Sequence, residues 1–318
     1  MRRRNSAVLA AILAGIALSG CSRDVSPWPA GTKGRRVLVS FPPLYSFAKS
    51  VAGDDAAVLT LLTNQGPHDY ELQRTDVLML READVFFVNG LNLDDEYTEK
   101  MKNSCGNTKL EYIPLGRTIP KEQLIALGKE IHHGDHVHRG YDPHVWLGIP
   151  EATEMVRAIR DELKRIDPTH TAGYDERAEK FIKELKQLQE DGLKNLEDKE
   201  IKVVSFHGAL SYFARSFRLK VIDSLQSAAG RDPSVNELRD VAKKCAEEGV
   251  KIIATEPQYP ESRRLAENVV EQIQRLGKPA PKIISIDPLE TADAKELDAG
   301  WYIRKMRENI QQVADAVK

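Results

Sequence analysis

Residues 36–62, RVLVSFPPLYSFAKSVAGDDAAVLTLL, contain the pattern that decides the fold. Arg36–Ser40 and Ala57–Leu62 are short apolar runs rich in Val and Leu, which predicts a strand at each end of the stretch. Between them, Phe41-Pro42-Pro43-Leu44-Tyr45 leads into a predicted helix that runs through Val51. A strand, a helix and a second strand in this order are the unit from which parallel sheets are built.

The same alternation continues beyond this first unit. Strands are predicted at Val85–Val88 and Lys109–Ile113, and helices at about Asp76–Glu82, with Thr75 as its N-cap, and at about Asp94–Asn103. Strands that alternate with helices favour a parallel sheet with helices on both faces. We therefore expect an N-terminal α/β lobe over residues 36–168.

The middle of the chain has a different pattern. From Pro150 to about Lys199 it is helical throughout, with a break at Asp167-Pro168. A helix of some 25 residues from Thr169 would be about 37 Å long at about 1.5 Å per residue. We interpret residues 169–199 as a rigid rod between two lobes; a solvated surface helix within one domain is the alternative.

Alternation then resumes, which favours the two-lobe interpretation. Strands are predicted at Lys202–Phe206, Leu219–Ile222, Lys251–Thr255 and Lys282–Ile286, with helices near 209–217, 235–247 and 261–275 and a last one from about Asp293. The expected fold class is α/β, with two lobes that each hold a mainly parallel sheet flanked by helices. One long rigid helix joins the lobes, residues 200–318 form the second lobe, and ligands are expected between the two.

The N-terminal residues have the pattern of an export signal. Three arginines at 2–4 precede an apolar run from Ala7 to Leu18, and Ser19-Gly20-Cys21 follows. The run is shorter than the roughly 20 residues of a spanning helix, which indicates a cleaved signal over residues 1–20. Because small residues and Cys21 follow the apolar run, we predict a lipid anchor on Cys21 and a tether over residues 21–35. The alternative is a cleavage site without a lipid.

The net charge and the positions of the cysteines each support one expectation. The formal net charge is −2, and loss of the three leader arginines would make the chain more acidic, so nucleic acid is not expected as a partner. Cys105 and Cys245 fall in different predicted lobes, and we expect both thiols to be unpaired.

Histidines are concentrated in one stretch, IHHGDHVHRGYDPHVW, residues 131–146, which holds five of the eight in the chain. Four of them lie among Gly and Asp in a predicted mobile loop: His132, His133, His136 and His138. The fifth, His144, stands in an apolar setting that indicates an ordered site. Imidazole is the commonest side-chain ligand of metals, so the four suggest an auxiliary metal loop, with a solvated polar loop as the alternative.

Polar residues that follow predicted strands supply the candidate site. His68, His207 and Asp287 come after strands, and ligands of open α/β sheets bind beyond the carboxyl ends of strands. With His144 they make three imidazoles and one carboxylate, a set that suits tetrahedral Zn²⁺. Each histidine could instead be structural, and Glu256, which also follows a strand, competes with Asp287 as the carboxylate.

Three segments resemble the metal-ligand segments of the zinc and manganese solute-binding lipoproteins of ABC importers, the ZnuA/TroA-like group (cluster A-I). They are Gly66-Pro67-His68-Asp69-Tyr70-Glu71-Leu72, Asp142-Pro143-His144-Val145-Trp146-Leu147 and His207-Gly208-Ala209. Thr255-Glu256-Pro257-Gln258, Asp287-Pro288-Leu289 and Met306-Arg307-Glu308-Asn309 are similar to C-terminal landmarks of the group. The likeness covers essentially the whole chain after the leader.

The resemblance implies metal ligands from both lobes: His68 and His144 from the first, His207 and Asp287 from the second. Manganese-preferring members typically have Glu at the third position, so His207 makes the chain most similar to the zinc-binding members. Gly208 departs from the commoner His-Asp-Ala sequence of the group.

The expected function is that of a high-affinity extracytoplasmic zinc-binding protein of a bacterium, not an enzyme. As a monomer held to the lipid bilayer through Cys21, it would deliver Zn²⁺ to the permease of an ABC-type metal importer. A manganese or iron binder of the same fold is the first alternative. A zinc-dependent hydrolase with Glu256 as general base is the second, since catalytic zinc sites keep one position open for water.

Overall fold

The computed structural model describes residues 26–68, 70–127, 140–196, 200–226 and 232–318 in full, and residues 131–133 and 136–138 through their backbone. The expected signal peptide, the lipid anchor Cys21 and the side chains of His132, His133, His136 and His138 lie outside the described residues. Within the described part of the chain, no helix is both long enough and apolar enough to cross a membrane.

The first sheet has four parallel strands in the order β2-β1-β3-β4. Its elements are β1 (Arg35–Val39), α1 (Pro42–Ala52), β2 (Ala56–Thr60), α2 (Arg74–Arg81), β3 (Val85–Val88), α3 (Asp95–Ser104) and β4 (Glu111–Pro114). Val37, Leu38, Val85 and Phe86 of the central strands are fully buried. Helices cover both faces of such a sheet, which is why these strands are continuous apolar runs in the sequence.

The second sheet is also parallel, in the order β10-β9-β7-β8. Its elements are β7 (Ile201–Ser205), α6 (Ser211–Ser216), β8 (Leu219–Ser224), α7 (Val235–Glu248), β9 (Ile252–Thr255), α8 (Ser262–Arg275), β10 (Lys282–Ser285) and α9 (Trp301–Val317). The predicted fold class, two helix-flanked parallel-sheet lobes with a long helix between them, is confirmed. The exact limits of the lobes stay predictions.

Two long helices connect the sheets: α4 (Ile149–Ile166) and the 25-residue α5 (Thr171–Asn195). α5 buries Phe181, Leu185 and Leu188 and packs on α1, α4 and α9, so it contacts both lobes along its length. At Gly192 of α5, an added Cβ would lie 2.6 Å from the ring of Phe217. A glycine at this position therefore lets the helix approach the second lobe closely.

A continuous apolar core runs across the two lobes. Phe47 of α1 and Tyr302 of α9 pack edge to face with ring centroids 4.7 Å apart, and the Tyr302 hydroxyl donates to the Trp146 carbonyl. The indole of Trp146 in turn donates to the Pro288 carbonyl at 2.8 Å. These contacts hold the lobes together around the cleft between the sheets.

Three local predictions differ from the structure. The cap of α2 is a reciprocal pair of Gln73 and Asp76 rather than Thr75, because the helix begins one residue before Thr75. The last helix begins at Trp301 rather than near Asp293, because the Asp293 and Asp298 carboxylates accept nearby backbone N–H groups and hold the preceding residues in turns.

The third difference concerns the histidine-rich tract. Its backbone forms an antiparallel ladder of β5 (Ile131–His133) and β6 (His136–His138), where we expected a loop without regular structure. Among the described residues on either side of the tract, Leu127 N donates to Gly140 O and Asp142 N donates to Ile125 O. Backbone pairing thus joins the two segments that flank the tract, one of which carries His144.

Candidate metal site

The site lies where the carboxyl ends of the two sheets face each other. His68 follows β2, and His144 directly precedes the helical turn Val145–Leu147. His207 lies two residues beyond β7, and Glu290 lies five residues beyond β10. Both lobes therefore contribute two side chains, as expected for ligands beyond the strand ends of α/β sheets.

Four donor atoms converge at this point. His144 Nε2 lies 3.3 Å from His68 Nε2 and 3.3 Å from His207 Nε2. Glu290 Oε1 lies 3.1 Å from His68 Nε2, 3.4 Å from His207 Nε2 and 3.8 Å from His144 Nε2. Each of the four residues offers one atom, and all four atoms lie within 4.8 Å of one another.

These spacings match a tetrahedral metal cage. Bonds of about 2.0–2.1 Å to nitrogen and oxygen place neighbouring donor atoms of a tetrahedron about 3.3–3.4 Å apart. Most of the measured distances between the four atoms fall close to that value. Hydrogen bonding alone does not account for the arrangement, since three imidazole Nε2 atoms cannot all donate to one another.

Buried carboxylates hold two of the imidazoles from behind. Asp142 Oδ1 accepts from His144 Nδ1 at 2.7 Å, and both oxygens of Glu256 lie within 2.8 Å of His207 Nδ1. A carboxylate only accepts, so each Nδ1 carries the proton and each Nε2 faces the cluster. This carboxylate and histidine pairing fixes the tautomer and ring orientation of metal-binding histidines in proteins.

The predicted carboxylate requires a correction, because Asp287 does not belong to the cluster. Its Oδ1 accepts from Leu289 N at 2.7 Å and so closes a turn, in which Leu289 adopts a φ of +63°. The turn redirects the chain, and Glu290 reaches the imidazoles instead. The sequence Asp287-Pro288-Leu289-Glu290 contains both carboxylates. The prediction considered only residues that directly follow a strand, and for that reason it did not include Glu290.

Glu256, the competing carboxylate in the sequence prediction, faces His207 Nδ1 and not the centre of the cluster. Asp142 belongs to the motif Asp142-Pro143-His144, and its carboxylate accepts from both Nδ1 and the backbone N of His144. For Asp142 the signal was an acidic residue two positions before His144, and for Glu256 it was an acidic residue directly after β9. Only the fold shows which nitrogen each carboxylate reaches.

The site concentrates negative charge away from water. The side chains of Asp142, Glu256 and Glu290 are 4%, 0% and 1% exposed, and among the described residues their ion-pair partners are the imidazoles alone. Burial opposes ionisation of Glu290, but hydrogen bonds from His207 and His68 hold its pKa well below the usual range. Buried carboxylates without a lysine or arginine favour a bound cation.

The histidines respond to this charge differently. Burial lowers the pKa of His207, yet the hydrogen bonds and charges of Glu256 and Glu290 outweigh that effect and raise the pKa to about 10. For His144, burial prevails over the single carboxylate of Asp142, and its pKa is lowered. Before a cation binds, His207 therefore carries a positive charge at neutral pH.

Fold and cluster together define a two-lobed α/β protein with a candidate metal site between its sheets. The model of the family described as ZnuA, zinc-uptake complex component A periplasmic, matches residues 37–316. The chain belongs to this family.

Among the relatives with curated names, some are named zinc-binding proteins and one is named a manganese-binding lipoprotein. The zinc-binding protein AdcA of Streptococcus pyogenes serotype M3 is 28% identical over 295 residues, which cover 87% of this chain and 55% of AdcA. The manganese-binding lipoprotein MntA of Halalkalibacterium halodurans is 26% identical over 203 residues, or 63% of each chain. This chain spans about half the length of the AdcA proteins that it matches.

Solved structures show the same fold. The solute-binding protein FpvC of Pseudomonas aeruginosa, in complex with Mn²⁺, superposes with a TM-score of 0.75 at 26% identity and covers 90% of this chain and 98% of its own. A crystal structure of ZnuA gives a TM-score of 0.73 at 24% identity, with 90% of this chain and all of ZnuA covered.

Proposed function

We propose that the protein captures Zn²⁺ as cargo with His68, His144, His207 and Glu290 and delivers it to the membrane permease of an ABC-type importer. One observation carries this proposal: three imidazole Nε2 atoms and one carboxylate oxygen converge from both lobes at distances close to the edges of a tetrahedron. Three buried carboxylates that lack a lysine or arginine partner among the described residues support it.

The donor set favours zinc over manganese. Three nitrogens and one oxygen suit Zn²⁺, whereas Mn²⁺ prefers more oxygen ligands and six-coordinate sites. The names of the relatives include a zinc-binding and a manganese-binding protein, so the choice rests on the donors. Mn²⁺ is the competing cargo, and it should bind more weakly here.

A transport role agrees with the site better than catalysis. A hydrolytic zinc site keeps one position open for water and places a free general base beside it. Here Glu290 would fill the fourth position, and Glu256, the general base of the hydrolase alternative, is engaged with His207. We infer a binding protein with no catalytic residues.

We further propose that the protein works outside the cytoplasm as a monomer, held to the bilayer through acylated Cys21. The pattern of residues 1–21 supports an exported lipoprotein. AdcA of Streptococcus pneumoniae strain R6, named a zinc-binding lipoprotein, is 27% identical over 286 residues, 86% of this chain and 54% of its own.

A pair of matched carboxylate variants tests the proposed site. Glu290→Gln removes the charged oxygen from the cluster, whereas Asp287→Asn keeps an oxygen that can accept from Leu289 N. We expect Glu290→Gln to weaken zinc binding by at least about tenfold and Asp287→Asn to change it much less, as measured by competition with a chelator. Equal losses in the two variants, or a wild-type protein that purifies without zinc and binds none, would contradict the proposal.

A further inference from the structure

Glu290 is held in the cluster differently from the two buried imidazoles. Asp142 accepts a hydrogen bond from Nδ1 of His144, on the side away from the cluster, and so fixes that ring. Glu256 fixes the ring of His207 in the same way. The Oε1 atom of Glu290 faces the imidazoles, but its Oε2 atom is buried and has no hydrogen-bond partner among the described residues. The position of this carboxylate therefore depends on the backbone that carries it.

That backbone is a tight turn, which begins at Asp287, three residues before Glu290. Asp287 Oδ1 accepts from Leu289 N at 2.7 Å, and Leu289 adopts a φ of +63°. A positive φ is disfavoured for a residue with a Cβ, so it persists only where the surrounding structure holds the turn. The Trp146 indole holds it from the first lobe, by donating to Pro288 O at 2.8 Å.

Asn309 of α9 holds the start of the same turn from the second lobe. Its Oδ1 accepts from Asp287 N at 2.9 Å, and its Nδ2 donates to Asp287 O at 2.7 Å. Asn309 is 3% exposed, and Met306 and Ile310 of the same helix are buried, so the amide is presented from a fixed element. Of side chains of this length, an ionised aspartate only accepts and a leucine does neither, so the double contact requires an amide.

We propose that Asn309 is the positioning residue for Glu290. It fixes the backbone of Asp287, from which the turn carries the carboxylate to the three imidazoles. Within the described residues, the hydrogen bonds of its side chain reach Asp287 alone, so Asn309 acts on the cation only through the turn. This inference rests on the proposed function for Zn²⁺ as the cation and for Glu290 as its ligand.

Asn309→Leu removes both hydrogen bonds and keeps the length of the side chain. We expect zinc affinity to fall by about tenfold in the otherwise unchanged protein. In a protein that already carries Glu290→Ala, the same substitution should change affinity by less than about twofold, because no carboxylate remains to be positioned. A substitution that only loosened the lobe would lower affinity by the same factor in both backgrounds. Competition with a chelator measures all four affinities.

Asn236→Leu is the matched control. Asn236 is an exposed asparagine of α7 in the same lobe, and its Oδ1 accepts from Arg239 within that helix. We expect this variant to bind zinc as the wild type does.

Co²⁺ in place of Zn²⁺ reports the coordination itself, because its visible spectrum depends on the number and geometry of its ligands. In Asn309→Leu the spectrum should shift towards that of Glu290→Ala, in which the imidazoles are the remaining ligands of the cluster. A folded Asn309→Leu protein with the wild-type Co²⁺ spectrum would overturn the positioning role.

Hydrogen exchange of the metal-free wild type gives a readout that does not depend on the folding of any variant. The Asp287 amide, which donates to the buried Asn309 side chain, should exchange much more slowly than the exposed amide of Lys295, which donates to Asp293. Equally fast exchange of these two amides would mean that Asn309 does not hold the turn before zinc binds, and would overturn the proposal.

The outcomes separate this inference from the proposed function. A loss in Asn309→Leu that disappears in the Glu290→Ala background supports the positioning role. If Glu290→Ala weakens zinc binding but Asn309→Leu loses the same factor in both backgrounds, the positioning role is wrong and the proposed function stands. If the wild type binds no zinc, or Glu290→Ala binds it as tightly as the wild type, the proposed site fails and the positioning role fails with it.

Discussion

Glu256 accepts a hydrogen bond from Nδ1 of His207, on the side of the ring that faces away from the cluster. In Glu256→Gln the amide can donate to Nδ1, which stabilises the tautomer whose proton sits on Nε2 and blocks a metal. We expect zinc affinity to fall by about 10–100-fold, as for other partners of metal-binding histidines. Glu267→Gln, at an exposed carboxylate paired with Arg263, serves as the control in the same chelator competition.

Also at the residue scale, His207 predicts how binding depends on pH. Its pKa is raised to about 10, above the roughly 6.5 of an unfolded histidine, so its charge stabilises the metal-free fold fully below about pH 6.5. That stabilisation is lost as the pH rises through about 10. Zinc must displace the Nε2 proton, so its affinity should change in the opposite direction and rise up to about tenfold per pH unit between 7 and 9.

Titration calorimetry of zinc binding in buffers of different ionisation enthalpy counts the protons that binding releases, and so checks this pH dependence. We expect His207 to release about one proton per zinc at pH 8, because its imidazole is protonated in the metal-free protein at that pH. Zinc affinity that stays constant from pH 7 to pH 9, with no proton released, would mean that His207 is already neutral in the metal-free protein.

At the scale of elements, β5 and β6 pair with each other, and the segments that flank them pair through Leu127 with Gly140 and Ile125 with Asp142. We expect deletion of residues 132–138 to leave the tight site intact and to remove weaker, additional zinc binding. The four donor atoms of the proposed tight site come from His68, His144, His207 and Glu290, which all lie outside the tract. Titration calorimetry of the deletion variant measures both classes of site, and loss of tight binding would show that the hairpin positions His144.

At the scale of the whole molecule, Arg215 of α6 ties the second lobe to the first. It donates to the Glu151 carboxylate of α4 at 2.7 Å and to the Gln123 carbonyl at 2.6 Å, and Glu151 is buried. Arg215→Met would leave that carboxylate without its charged partner. We expect the free energy of unfolding to fall by about 1.5–3 kcal/mol, as measured by urea denaturation.

The control for this variant is Arg263→Met, which removes an exposed ion pair with Glu267 within one helix. Exposed pairs of this kind contribute about 0.3–0.5 kcal/mol. If the two methionine variants lose equal stability, the contact between Arg215 and Glu151 does not stabilise the junction of the lobes. The expected loss of stability in Arg215→Met applies to the metal-free protein, because bound zinc would itself join the lobes.

Much of this architecture is readable from local patterns. Strands such as Val85–Val88 are short, continuous apolar runs because both faces of a parallel sheet are covered. His68 and His207 were selected because polar residues after such strands meet at one edge of the fold. Helix limits were less predictable, as at Trp301, where the side chains of Asp293 and Asp298 compete with helix formation.

The sequence by itself determined the alternation of elements, the long helix between the sheets and the three imidazoles that now face one another. Tertiary structure decided the fourth member of the cluster and the carboxylates behind it. Asp287 and Glu290 are three residues apart, and the turn at Leu289, with φ of +63°, decides which one faces the imidazoles. Strand patterns depend on periodicity along the chain, whereas the direction of a side chain after a turn depends on dihedral angles that packing selects.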